Sequence, residues 1–120
     1  MMLTVSETIY SHLKAFGAAN ADLFAGDIYP LIAPMDAHYP FAVYRASKRV
    51  PFSKKGIHEV DLKIVLVGDD YDYLCDITDR LEDYLAANFK DAEYQSTVTG
   101  VNQDKPSEMN FELTYNLKMI

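Results

Sequence analysis

Seven carboxylates fall within fifteen residues of this chain: Asp69, Asp70, Asp72, Asp76, Asp79, Glu82 and Asp83. Carboxylates at such density could hold a hard divalent cation if their oxygens converge on one point. The calcium-loop pattern asks for glycine at its sixth position and a distal Glu at its twelfth. Counted from Asp70, those places hold Cys75 and Leu81, so the pattern fails. The spacing reads instead as the first turn of a helix, where the macrodipole favours negative charge, followed by a solvated face. His12, His38 and His58 lack the HExxH spacing of a zinc helix. The single cysteine, Cys75, flanks an apolar helical stripe and reads as a small packed residue rather than a nucleophile. The five glycines are isolated, with no phosphate-cradling loop and no GxSxG or Walker pattern. No catalytic constellation emerges, and no enzyme, metal or cofactor is expected.

A second cluster has the opposite sign. Arg45, Lys48, Arg49, Lys54 and Lys55 place five of the eleven positive charges within eleven residues. The remainder keeps six positive charges against all eighteen negative ones. A subunit this dipolar is suited to docking its basic arm on an acidic neighbour. A solvated hairpin tip, its charges discouraging edge pairing, is the plainer alternative. The overall charge of −7 disfavours broad nucleic-acid binding, because an acidic surface repels a phosphate backbone. Nine tyrosines and six phenylalanines exceed what one small core can bury. Tyrosine, apolar with one polar end, is enriched where proteins meet.

The elements that position these residues can be read from periodicity. Val5, Ile9, Leu13 and Phe16 form one stripe of a first helix, capped by Thr4 or Ser6 and closed at Gly17 with some fraying through Ala18 and Ala19. A short extended piece near Ile28 follows, then a loop to about Pro40, since Pro30 and Pro34 forbid a helix interior. Phe41–Ala46 restarts as a strand, Ser47–Gly56 is the hairpin arm, and Ile57–Val67 is the long return strand. Val65 and Val67 leave that strand apolar on both faces, so it needs a central place or a partner chain. Leu74, Ile77, Leu81 and Leu85 mark a second helix to about Asn88. Tyr94–Val101 reads as a strand, Asn102–Glu108 as a turn, and Phe111–Met119 alternates apolar and polar in a clear half-buried strand. The order is α-β-β-β-α-β-β. The expected fold is α+β, an antiparallel sheet with two helices packed on one face, in a single domain of 120 residues. One cysteine excludes an internal disulfide, and no segment reads as a signal peptide or a membrane span of about 20 apolar residues.

Order and motifs together resemble the tail-completion, or tail-terminator, proteins of long-tailed bacteriophages and prophages. The residues that carry the likeness begin with an N-terminal helix, then Ile28-Tyr29-Pro30 with Ala33-Pro34, then Tyr39-Pro40-Phe41-Ala42-Val43-Tyr44. A long strand ending Val65-Leu66-Val67-Gly68-Asp69-Asp70-Tyr71 leads directly into the helix Leu74–Leu85, and a closing hairpin ends in Phe111–Met119. The resemblance implies a structural virion protein without catalysis or cofactor. Such subunits assemble in the host cytoplasm into a closed ring, commonly a hexamer, that caps the head-proximal end of the tail tube. Its partners would be itself, the tube protein and the head connector or neck protein. DNA would pass through an acidic lumen without specific binding, and no membrane is involved. Closed rings use unlike patches on each subunit, and Arg45, Lys48, Arg49, Lys54 and Lys55 are the expected contact to the neighbour or the tube. The competing class is a small intracellular ligand-binding or regulatory domain of ferredoxin-like type, whose β-α-β-β-α-β order this chain departs from.

Overall fold

The stripe Val5, Ile9, Leu13 and Phe16 is buried, as its spacing requires of one helical face. The helix carrying it, α1, spans Met2–Ala19, in a computed structural model that describes residues 2–20, 28–48 and 58–119. It begins ahead of Thr4 and Ser6, so neither is its cap, and it runs through Gly17. Asn20 supplies the stop instead. Its backbone N–H and its side-chain amide both donate to the Phe16 carbonyl, at 3.1 and 2.9 Å.

Five strands follow: β1 (Ile28–Pro30), β2 (Phe41–Lys48), β3 (His58–Gly68), β4 (Ala92–Val101) and β5 (Met109–Met119), with α2 (Tyr71–Asn88) between β3 and β4. They form one sheet in the order β1-β2-β3-β5-β4. The order α-β-β-β-α-β-β and the α+β class are those expected. The sheet is mixed rather than wholly antiparallel, because β1 pairs parallel with β2, Ile28 opposite Ala42 and Pro30 opposite Tyr44. The reason is the connection. Residues 31–40 are too many for a hairpin turn, and they carry the chain back to the end of the sheet where β1 began. The other pairings are antiparallel, with β3 central and bonded along eight residues to β2 and eleven to β5.

Alternation along the strands sorts the faces. Ala42, Tyr44, Val60, Leu62, Ile64, Leu66, Phe111, Leu113, Tyr115 and Leu117 meet both helix stripes in one core. Leu74, Ile77, Leu81 and Leu85 are the stripe of α2, each at most 1% exposed. Truncating such a leucine to alanine costs about 2–5 kcal/mol. Asp70 starts α2 by accepting a hydrogen bond from the Tyr73 N–H at 3.1 Å. Phe89 ends it, its N–H returning to the Leu85 carbonyl at 2.8 Å and its ring stacked on His12.

The opposite face of the sheet has a second, smaller cluster of Phe41, Val43 and Val67, covered by Tyr29, Ala33, Ala37 and Tyr39. Residues 31–40 thus form a strap across one end of that face. Val67 is buried by this strap and Val65 is half-buried beside it, so the chain covers its own second apolar face at that end.

Candidate interaction surfaces

The expected contact residues divide between described and undescribed parts of the chain. Arg45 sits mid-β2, exposed, on the face away from the helices and directly opposite Lys63. Lys63 in turn pairs with Glu112 across β5 at 3.3 Å. The Lys48 backbone ends β2 opposite Val60. Arg49, Lys54 and Lys55 fall in 49–57 and lie outside the described residues, so only the root of the basic arm is placed.

The acidic run takes the arrangement of a helix terminus. Asp70 is the cap, Asp72 lies in the first turn, and Asp76 pairs with Arg80 one turn on at 3.3 Å. Asp69, Asp79 and Asp83 face solvent. No three His, Cys, Asp or Glu side chains among the described residues are grouped to hold a metal. Cys75 is half-buried on α2, and the Tyr71 hydroxyl is raised above its ordinary pKa chiefly by a hydrogen bond with that thiol. No helix among the described residues is long and apolar enough to cross a membrane.

Sequence reasoning missed a polar latch that fixes the strap. The Tyr39 hydroxyl donates to Glu108 Oε2 at 2.5 Å and receives a bond from Lys105 Nζ at 2.8 Å. Asn102 Nδ2 donates to the other Glu108 oxygen at 3.1 Å, and Lys105 also lies over the Tyr39 ring. The bond from Tyr39 holds the Glu108 carboxyl below the usual carboxylate range, against the opposing effect of burial. The hydrogen bond with Tyr39 raises Lys105, assisted by the carboxylates of Glu108 and Asp69. These residues are nearly seventy positions apart in the chain, so no local pattern announces them.

Leu31 begins the strap in an unusual way. Its φ is +67°, its N–H donates to the Tyr44 carbonyl, and the Ile32 N–H closes back on the Pro30 carbonyl at 2.7 Å. That is a γ-turn centred on a leucine in its strained, positive-φ form. Its side chain is 66% exposed, Ile32 is 80% exposed and Met35 is fully exposed. Leu31-Ile32-Ala33-Pro34-Met35 is a run of five apolar residues in a loop, a signal that the sequence does carry.

The remaining exposed large apolar side chains among the described residues lie mostly at the other edge. Tyr94, Val98 and Val101 are on β4. Tyr71, packed edge-on against Phe111, joins Thr99, Val101 and Met109 around a shallow recess of about 160 Å³. Tyr10 stands instead by β1, on an open groove lined also by Ile28, Pro30 and Tyr44.

No protein-family model matches the chain, and a comparison with curated proteins returns no match.

Proposed function

We propose that this chain is a tail-completion subunit of a long-tailed phage or prophage, one that caps the tail tube as a ring and joins it to the head connector. The observation that carries the reading is the concurrence of the α-β-β-β-α-β-β order with the residues of the resemblance, at the places where the fold uses them. Ile28-Tyr29-Pro30 is β1, Tyr39-Pro40-Phe41-Ala42-Val43-Tyr44 leads from the strap into β2, and Val65–Tyr71 joins the central strand to α2. A sequence that gathers basic residues at 45–55 and acidic ones along α2, on a fold with apolar side chains exposed at both sheet edges, supports it further, because a ring subunit must present unlike patches to its two neighbours. Catalysis plays no part in this role.

The test is direct. Purified protein is analysed by light scattering across protein and salt concentrations, and then added to polymerising tail-tube protein followed by electron microscopy. A species near six subunits and tubes of arrested length are expected. Tubes that grow unhindered in a molar excess of the protein would overturn the reading. Reversing Arg45 and Lys48 to Glu is expected to weaken assembly while the far-ultraviolet circular dichroism of the monomer stays unchanged.

A further inference from the structure

We infer that residues 31–40 lift off the sheet as a unit while the main core stays folded, and that the bond from Tyr39 to Glu108 sets how often this happens. The lifted state uncovers an apolar patch that the closed subunit hides. The motion belongs to the single subunit and holds whether or not the proposed function does.

The strap covers an apolar island. Phe41, Val43 and Val67 are buried beneath it, in a cluster separate from the core that the two helices cover. Beyond the island the same face of the sheet turns polar. Arg45, Lys63, Thr114 and Ser96 form one row across it, and Ser47, Asp61, Asn116 and Glu93 form the next. Removing the strap therefore bares three apolar side chains, with half-buried Val65 beside them, and leaves the helix-side core intact.

The strap's grip on the island is light. It covers the three residues with Ala33, Ala37 and Tyr39, while its large apolar side chains, Leu31, Ile32 and Met35, are turned to water. Among the described residues its main chain is fastened to the sheet at the Leu31 end, where the Leu31 N–H donates to the Tyr44 carbonyl at 2.9 Å. The bond from the Ala37 N–H to the Pro34 carbonyl, at 3.1 Å, lies within the strap and keeps its bend as it moves.

At the far end the hold is a side-chain bond. The Tyr39 hydroxyl donates to Glu108 Oε2 at 2.5 Å, and a hydrogen bond to a carboxylate is stronger than one between neutral groups. Glu108 keeps its place without the strap. Its carbonyl accepts from the Asn102 N–H and its own N–H donates to the Lys105 carbonyl, each at 2.9 Å, and Asn102 Nδ2 holds its other carboxylate oxygen. The catch is thus built into the sheet's 102–108 turn and the bolt into the strap. Leu31 favours release, since its φ of +67° is strained and an opened strap sheds that strain. A segment with few apolar contacts and one strained end opens at lower cost than the whole fold.

A thiol under the strap reads the opening. Val67→Cys in a Cys75→Ala background is reached by an aromatic disulfide reagent only while the strap is lifted. Two additions to it are compared at neutral pH. Tyr39→Phe keeps the ring and its stack on Phe41 but removes the bond, and is expected to speed labelling about tenfold. Leu81→Ala weakens the core that the closed and lifted states share. It is expected to leave labelling unchanged while it speeds amide exchange at Leu62, Ile64 and Leu66. Labelling that rises with Leu81→Ala in step with that exchange means that the thiol is reached only by global unfolding, and overturns the inference. So does labelling that is indifferent to Tyr39→Phe. If Val67→Cys does not fold, Val43→Cys, in the same cluster, carries the thiol.

Discussion

Replacing Leu31 by glycine weighs the strain of its backbone against what its side chain gives the fold. Three effects act on the monomer. Relief of the left-handed backbone gains about 1–2 kcal/mol. Glycine's extra freedom in the unfolded chain costs about 0.5–1 kcal/mol. Burying a whole leucine is worth about 1.5–3 kcal/mol, so the third of it that is covered forfeits about 0.5–1 kcal/mol. The sum is close to zero, and monomer stability is expected to stay within about 0.5 kcal/mol of wild type. Urea unfolding at dilute protein, followed by circular dichroism, reads this sum. A loss of more than about 1.5 kcal/mol in the urea midpoint analysis would refute the reasoning, since it would mean that the fold itself depends on this side chain.

Other expectations concern the core and the latch. The Tyr115 hydroxyl is buried with no hydrogen-bond partner among the described residues, and burial raises it far above its ordinary pKa. Tyr115→Phe is therefore expected to stabilise the protein by about 1 kcal/mol, seen as a higher melting temperature; a lower one would reveal a partner for that oxygen. Glu108 has its folded pKa below the unfolded value, so its contribution is fully present above the ordinary carboxylate range and is lost as pH falls through the lowered value. Acid unfolding should steepen there, and Tyr39→Phe should flatten that limb while costing about 1–2 kcal/mol at neutral pH; identical acid profiles for the two proteins would disprove the latch. Asp70→Ala removes the cap of α2 and is expected to cost about 1 kcal/mol in urea, with no change at Asp72→Asn beyond a few tenths.

What could be read in advance was what depends on period. The five alternations of Phe111–Met119 and the 3,4,4 spacing of Leu74 to Leu85 each define one buried face, and burial of one face leaves little freedom. Helix ends were less legible, since α1 is held at its end by Asn20 although Gly17 looked the better breaker. The direction of β1 was not legible. Three residues carry no sign of parallel or antiparallel pairing, and the decision lies in where the strap takes the chain. The expectation for Val65 and Val67 named a central place or a partner chain; β3 is central, and the strap adds a cover from the same chain. Of the candidate surface, charge clustering pointed to Arg45 and Lys48, while the bare β4 edge exists only once the strand order is known.

That order has a consequence for biosynthesis. β5 lies between β3 and β4, yet it is made after both. Until Met109–Met119 has left the ribosome, β3 has one side unbonded and β4 has nothing to lie against. The sheet edge formed by β4, with Tyr94, Val98 and Val101 exposed along it, therefore does not exist on an unfinished chain. A chain interrupted before β5 lacks the strand that joins β4 to the rest of the sheet and cannot complete the fold.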